Sequence, residues 1–222
     1  MTEDERAHTF LFADLAGFTA LTEAMGDSDA ADLAGRFYAS AAAVVTEHGG
    51  EHVKVIGDAV MVRADDPAVA VELALCLVEQ IGGQHFFPSI RVGMHSGPAI
   101  RREADWFGAT VNLAARVSAE AAGSEVLLTH ATRRAAGSIK DVEFVERGRR
   151  EVKNVGQPVL LHAAVRIGRN AGERLPIDPV CRMAVDPERA AGRLVHDGRA
   201  FYFCSLGCIE KFAHDPDRHA GR

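Results

Sequence analysis

The sequence predicts an α+β fold followed by a small cysteine-rich module, and three observations indicate this class. Strand-like runs alternate with helical runs, but several strand-like runs follow one another through short turns, which favours antiparallel hairpins over a doubly wound parallel sheet. The 222 residues are 47% hydrophobic, enough for one domain with a substantial core and a small additional unit. Three of the four cysteines lie together near the C-terminus.

The first half of the chain is predicted to contain three strands and two helices. Asp14 closes the first apolar strand, and apolar residues spaced three or four apart mark the helices. Gly49 and Gly50 end the first helix, and Gly57-Asp58 joins a hairpin. The predicted elements are a strand at 8–13, a helix over 31–49, strands at 51–57 and 58–64, and an amphipathic helix over 67–81.

The second half continues the sheet and ends in a separate unit. Its predicted elements are a strand at 89–100, a helix over 110–121, a strand at 125–130, and two strands within 142–165 joined by a loop at 153–158. Residues 166–176 are polar, contain glycine and lack periodicity, so they are predicted to be a linker between a domain at 1–165 and a module at 177–222. The module is too small to build a large core alone, and a bound metal would compensate.

Composition argues against nucleic-acid and membrane partners. The net charge is −6, the pI is near 5.9 and aromatic residues make up only 6% of the chain. The first residues, MTEDERAH, are charged and lack the apolar segment of a signal peptide. No run approaches the roughly 18 apolar residues that a membrane span requires. We therefore expect a cytoplasmic protein.

Two aspartates stand where a ligand can approach them. Asp14 ends an apolar strand, and Asp58 lies in a tight turn after Gly57. Two such carboxylates can hold two Mg²⁺ or Mn²⁺ ions, which then bind substrate phosphates. Either aspartate taken alone is more simply explained as an ordinary turn residue.

Three motifs in order place the two aspartates in a wider pattern. They are FADLAGFT at 12–19, KVIGDAVM at 54–61 and DWFGATVNLAARV at 105–117. Together they closely resemble the class III nucleotidyl cyclases, the adenylate and guanylate cyclase family, over residues 8 to about 165. The resemblance implies that family's fold, a sheet derived from the ferredoxin-like arrangement with flanking helices.

The resemblance also implies a role for each matching residue. The residues that match metal ligands are Asp14, Asp58 and, through its backbone carbonyl, Leu15. The residues that match substrate-binding positions are Phe18, Thr19 and the pair Lys54 and Asp105, which would read the base. Lys153 matches a further substrate-binding lysine, but more loosely. Asn112 matches the residue that orients the ribose, and Arg116 matches the arginine that stabilises charge on the reacting phosphate.

The chemistry of the matched residues favours ATP over GTP. Adenine presents an amino donor and a ring-nitrogen acceptor, which a lysine donor and an aspartate acceptor complement, whereas guanine reverses this polarity. Asn112 and Arg116 are four residues apart on a predicted helix and so project from one face. The implied reaction is attack of the ribose 3′-OH on the α-phosphate, giving cyclic AMP and pyrophosphate. The sequence offers no clear general base, and His95 is expected to be structural.

The resemblance further implies a head-to-tail homodimer with active sites at the interface. In this family one chain supplies the metal aspartates and the other supplies the base-reading pair, the asparagine and the arginine. Lys54 and Asp58 would then serve different sites from opposite sides of one bend. Six of the matching residues would complete a site, and all six occur in this single chain, so a symmetric dimer with two complete sites is expected. They are Asp14, Lys54, Asp58, Asp105, Asn112 and Arg116.

Residues 178–216 resemble a YHS domain, a module related to the metal-binding TRASH motif. The matching segments are DPVC, FYFCSLGC and KFAHDP. Cys181, Cys204 and Cys208 are expected to bind Zn²⁺ or another soft ion such as Cu⁺. The fourth ligand stays open among Asp178, His196 and His214, and the alternative is that the thiols are reduced and packed among aromatic residues.

The linkage of the two parts suggests that the module senses metal or redox state and modulates the cyclase. A second hypothesis is a metal or redox sensor whose cyclase domain binds nucleotide but turns it over weakly or not at all. The full set of six matching residues argues for the active enzyme.

Overall fold

The computed structural model describes residues 6–168 and 175–221. Its main feature is a seven-stranded sheet in the order β2-β3-β1-β4-β7-β9-β8. The β4–β7 pair is parallel and the other neighbours are antiparallel, which confirms the α+β class. The strands of this sheet are β1 (Ala7–Leu15), β2 (Glu51–Ile56), β3 (Ala59–Ala64), β4 (Ile90–Pro98), β7 (Val126–Thr129), β8 (Val142–Arg150) and β9 (Val159–Arg166).

β1 lies near the centre of the sheet and is buried from its second residue onward, with apolar side chains packed on both of its faces. Its register sets the geometry of the site. Asp14 lies opposite Ala59 of β3 and opposite Arg91 of β4. The chain therefore places one carboxylate between the β2–β3 turn and the start of β4.

Helices cover both faces of the sheet. They are α1 (Phe18–Met25), α2 (Asp27–Glu47), α3 (Pro67–Cys76), α4 (Ala109–Glu120) and α5 (His130–Ala136). Sequence reasoning missed α1 and α5, since each is too short to show a sustained helical period. The predicted helix over 67–81 is α3 followed by a π-helical turn at Leu77–Ile81. Half of the α3 residues are buried and none is exposed, so the helix lacks a solvent-facing polar side and the expectation of an amphipathic helix was wrong.

α4 can approach β4 closely because β4 carries Gly93 at the crossing. A Cβ atom at this position would lie 1.8 Å from the backbone nitrogen of Ser118 in α4. On the same face, Phe10, Met61 and Trp106 form a compact apolar cluster with α4. Trp106 belongs to a small hairpin of β5 (Ile100–Arg102) and β6 (Asp105–Phe107), which carries Asp105.

The C-terminal residues form a small unit that packs directly on the part of the chain that contains the large sheet. Its elements are the hairpin β10 (Gly192–His196) and β11 (Arg199–Phe203), followed by α6 (Leu206–His214) and α7 (Pro216–Ala220). Pro88 and Met183 form an antiparallel bridge between the two parts. Cys181, Phe203 and Phe212 belong to the same apolar cluster as the residues beneath the large sheet.

The first residue of the segment predicted as a linker still belongs to the large sheet. Arg166 is the last residue of β9, and its guanidinium pairs with Glu72 of α3 at 2.7 Å. Residues 169–174 of the predicted linker lie outside the described residues. Within 6–168 and 175–221, no helix has both the length and the apolar character needed to cross a membrane.

Candidate active site and cysteine cluster

The first half of the candidate site centres on Asp14 at the end of β1. Arg91 donates to the Asp14 Oδ2 atom twice, from Nε at 2.8 Å and from a terminal nitrogen at 2.5 Å. The other oxygen, Oδ1, is buried and has no hydrogen-bond partner within the part of the chain that the structure describes. An unpartnered carboxylate oxygen in a buried position is well suited to bind a cation.

Asp58 completes this half from the β2–β3 turn. Gly57 adopts a φ of 59°, which places Asp58 beside β1, and the Tyr38 hydroxyl donates to the Gly57 carbonyl at 2.5 Å. The pKa of Asp14 is raised to about 6, mainly by burial and next by the neighbouring Asp58 carboxyl, while Arg91 opposes the shift. Two carboxylates that repel each other in this way fit divalent cations, whose charge would stabilise both ionised groups.

The N-terminus of α1 faces the turn that follows Asp14. Gly17 caps the helix with a left-handed φ of 81°, and the first helical bond runs from the Leu21 nitrogen to the Gly17 carbonyl at 3.0 Å. The backbone N–H groups of Phe18 and Thr19 precede that bond, so helical pairing does not use them. A helix N-terminus of this kind favours a phosphate, which agrees with the roles predicted for these two residues.

The two residues predicted to read the base, Lys54 and Asp105, meet although they are 51 positions apart in the chain. The Lys54 ammonium on β2 donates to Asp105 Oδ2 at 2.5 Å, and the Trp106 backbone nitrogen donates to Asp105 Oδ1 at 2.8 Å. The hydrogen bond from Lys54 lowers the pKa of Asp105. Both side chains remain about one-third exposed, so a ligand can reach the pair. The structure thus brings together one donor and one acceptor, as predicted.

Asn112 and Arg116 lie on α4, as expected. Asn112 is exposed and Arg116 is half-buried. Lys153 lies exposed in the loop between β8 and β9, where it lines an open pocket with Glu120 at the end of α4. His95 is half-buried, and its Nδ1 atom lies 2.7 Å from the Thr129 hydroxyl, in line with a structural role.

Sequence reasoning missed Arg91 and Tyr38, which hold Asp14 and the Gly57 turn. Both contacts join residues that are distant in the sequence. A strand register determines which residue faces Asp14 on β4, and no local pattern encodes that register. The only available signal was an arginine near the start of a predicted strand.

The cysteine cluster contains three thiols and one carboxylate. The ligand atoms of Asp178, Cys181, Cys204 and Cys208 all lie within 4.8 Å of one another. The Cys181 and Cys204 sulfurs are 3.3 Å apart, the Cys204 and Cys208 sulfurs are 3.8 Å apart, and all three cysteines are free. Hydrogen bonds from the Cys181 and Cys204 thiols lower the pKa of Cys208. A cluster that already favours one thiolate fits a soft cation.

Asp178 is fully buried, and both of its oxygens accept hydrogen bonds from the backbone. Oδ1 accepts from the Val180 nitrogen at 2.8 Å, and Oδ2 accepts from the Cys204 nitrogen at 2.8 Å. Asp178 therefore joins the loops that carry Cys181 and Cys204. Of the other ligand candidates, His196 pairs with Asp217 at 3.1 Å, and His214 lines a pocket between α6 and α1.

Comparison with known families gives two matches. Residues 2–167 match the adenylate and guanylate cyclase catalytic domain, and residues 177–222 match the YHS domain. Both resemblances seen in the sequence are confirmed.

Individual relatives agree with the first match. The chain is 40% identical over 138 residues to a pH-sensitive adenylate cyclase of Mycobacterium tuberculosis, over 62% of this chain and 34% of that protein. It is 42% identical over 117 residues to an adenylate cyclase of Streptomyces coelicolor, over 53% and 31%. The chain thus spans about a third of the length of these curated relatives. A solved structure of a Trypanosoma brucei adenylate cyclase in its monomeric state shares the fold, with a TM-score of 0.67 and 23% identity over 77% of this chain and 94% of that chain.

Proposed function

Because the chain belongs to the adenylate and guanylate cyclase catalytic domain family, we propose that it converts ATP to 3′,5′-cyclic AMP and pyrophosphate. The observation that carries this proposal is the pair formed by Lys54 and Asp105 at 2.5 Å. The pair offers one donor and one acceptor at an accessible position, the complement of the adenine edge. Guanine has the reverse polarity, so with GTP neither the Lys54 donor nor the Asp105 acceptor would find a matching group on the base. Unpaired polar groups of this kind discriminate strongly between ATP and GTP.

Asp14, Asp58 and the Leu15 carbonyl would hold two Mg²⁺ or Mn²⁺ ions. When bound, these ions would neutralise the triphosphate and lower the pKa of the ribose 3′-OH. The N-terminal N–H groups of α1, at Phe18 and Thr19, would bind phosphate oxygens. The buried and unpartnered Asp14 Oδ1 atom supports this assignment.

The remaining matched residues would act on the ribose and the reacting phosphate. Asn112 would orient the ribose so that its 3′-OH lies in line with the α-phosphate, and Arg116 would stabilise the charge that develops there. Arginine suits this role because its planar fork stays protonated. Lys153, exposed on its loop, would contact the triphosphate.

We propose that two copies of the chain assemble head to tail, so that each active site combines the Asp14 side of one copy with the Lys54 side of the other. The edge strand β2 and the β5–β6 hairpin support this assembly. Both carry large apolar side chains that are about half exposed, namely Ile56, Ile100 and Phe107. Apolar side chains grouped around a binding pair are typical of an interface.

The proposed division of the chain is a catalytic domain at 1–165, a linker at 166–176 and a YHS-type module at 177–222. Cys181, Cys204 and Cys208 would hold Zn²⁺ or another soft ion, and Asp178 would fix the two loops around it. The close packing of the module on the catalytic part supports modulation of the cyclase by the state of this cluster.

The test is cyclic nucleotide production by the purified full-length protein, with ATP and GTP compared in Mg²⁺ and in Mn²⁺. We expect cyclic AMP with little cyclic GMP, and loss of product in Asp14→Asn. Equal use of GTP would overturn the role of Lys54 and Asp105. A folded protein that binds ATP without forming product would instead favour the nucleotide-binding sensor.

A further inference from the structure

We infer that the C-terminal module clamps the turn between Asp14 and α1, and that Arg182 is a positioning residue for the catalytic metal and phosphate site. The inference rests on the proposed function, since it concerns how the same site is held. Three separate contacts between the module and this region carry it.

The first contact joins Arg182 to Gly17. A Cβ atom built on Gly17 would stand 2.5 Å from Cγ and 3.1 Å from Cβ of Arg182. The aliphatic part of Arg182 therefore occupies the space where a side chain of residue 17 would lie. Gly17 follows Asp14 by three positions and caps α1, so the backbone that would carry both metal and phosphate contacts rests against the module.

The second contact holds the other end of α1. The Lys211 ammonium of α6 donates to the carbonyls of Glu23 at 3.2 Å and of Ala24 at 3.3 Å. Both carbonyls lie in the last turn of α1, where helical bonding leaves them unused and where a positive charge is favourable. The module thus holds α1 at both ends.

The third contact lies on the segment before β4. Ala184 of the module exchanges backbone hydrogen bonds with this segment, donating to the Phe87 carbonyl at 2.9 Å and accepting from the Phe86 nitrogen at 3.0 Å. Two residues further along, the Ser89 carbonyl accepts from the Ala16 nitrogen at 2.8 Å. One short segment is therefore bonded to the module on one side and to the turn after Asp14 on the other.

The clamp is built next to the cysteine cluster. Arg182 directly follows Cys181 and adopts a φ of 68°, a conformation that residues other than glycine rarely take. The turn is held by Asp178, whose carbonyl accepts from the Arg182 nitrogen at 2.9 Å and whose carboxylate accepts from the Cys181 nitrogen. The position of the Arg182 side chain over Gly17 therefore depends on the geometry of the cluster.

The catalytic test compares Arg182→Ala with Arg182→Lys and Arg193→Ala in the full-length protein. Arg182→Lys keeps the aliphatic part that rests on Gly17, and Arg193 is an exposed arginine on β10 of the same module. We expect Arg182→Ala to raise the KM for metal-bound ATP by about fivefold or more, with a smaller change in kcat, because the module no longer holds the turn between Asp14 and α1. Arg182→Lys and Arg193→Ala should keep the wild-type KM. KM is the informative quantity, because loss of folded protein alone lowers the apparent kcat and leaves KM unchanged. A wild-type KM in Arg182→Ala would therefore overturn the inference.

Hydrogen exchange gives a second readout that does not require cyclase activity. Peptides covering residues 15–25 should exchange about tenfold faster in Arg182→Ala than in wild type, and those at the end of α1 should do so in Lys211→Met. Unchanged exchange in both variants would overturn the clamp. If the wild type makes no cyclic nucleotide, the proposed function fails while the exchange comparison still decides the clamp.

Discussion

Arg91 and Asp14 face each other across the β1–β4 register, and both donors of Arg91 bind the same carboxylate oxygen. Arg91 thereby leaves the second oxygen, Oδ1, for another ligand. It also offsets part of the burial that raises the pKa of Asp14 to about 6. An arginine that no motif identified thus opposes protonation of the carboxylate at the centre of the candidate site.

Replacing this arginine should shift the pH dependence of the cyclase. Arg91 lowers the pKa of Asp14, so Arg91→Met should raise that pKa above about 6. Metal binding requires the ionised carboxylate, and activity should therefore begin to fall at a higher pH as the solution is acidified, by about one pH unit. The measurement is kcat/KM against pH, with Arg193→Met as the control. If kcat/KM of Arg91→Met fell on acidification at the same pH as in the wild type, this account would be contradicted.

Asp14→Asn should abolish activity and yet stabilise the metal-free protein. The folded pKa of Asp14 is raised to about 6 from 3.8, so the folded state binds the proton more tightly than the unfolded chain does. Stability therefore falls as the pH rises from about 4 to 6, and the full cost of the buried charge is present at pH 7. Removing the charge should raise the free energy of unfolding by about 1–3 kcal/mol at pH 7. Urea unfolding at pH 7 and pH 5 tests this, since the gain should shrink at pH 5.

Lys54→Met should weaken the preference for ATP. The substitution leaves the Asp105 carboxylate without its 2.5 Å partner and removes the donor that would meet adenine. We expect kcat/KM for ATP to fall about 100-fold, and kcat/KM for GTP to fall much less. Initial rates with each nucleotide give the ratio. An equal fall for both nucleotides would show that Lys54 does not read the base.

Mixing two inactive variants should restore activity if the sites are shared between chains. Asp14→Asn removes a metal ligand, and Arg116→Ala removes a residue expected from the opposite chain. In a heterodimer of the two, one site would carry both defects and the other would carry neither. Random mixing of equal amounts should therefore restore about 25% of wild-type activity, since about half of the dimers would have one intact site out of two. Each variant alone should stay inactive, and a mixture without activity would argue that each chain holds its own site.

The cysteine cluster should bind one Zn²⁺ ion and use Asp178 mainly to orient its loops. Replacing Cys181, Cys204 or Cys208 by serine should remove tight binding, because each change deletes a sulfur ligand. Asp178→Asn should still bind the ion, with an affinity lower by about 10- to 100-fold. Cys76→Ser is the matched control, since this cysteine ends α3 away from the cluster. Competition with a chromogenic chelator measures the affinities, and equal binding by the Cys208→Ser protein would refute the site.

The sequence was most informative where the signal is local. Alternating and helical periods located β1, the β2–β3 hairpin and α4, and the motif order identified Lys54 and Asp105 before their contact was visible. Arg91 and Tyr38 were missed because their contacts depend on how distant segments align. The place of the module was missed for the same reason, since its bonds to Phe86 and Phe87 are backbone bonds that any residue could make.

The apolar cluster shared by the module and the catalytic part determines how the protein unfolds and is degraded. Phe203 and Phe212 pack in the same cluster as core residues such as Phe37, so neither part can lose its structure without exposing apolar surface of the other. The two parts should therefore melt in a single calorimetric transition. If the cysteine cluster binds Zn²⁺ as proposed, the metal-free chain would be the less stable form of both parts, and proteases would remove it first, so the abundance of the protein would follow metal supply.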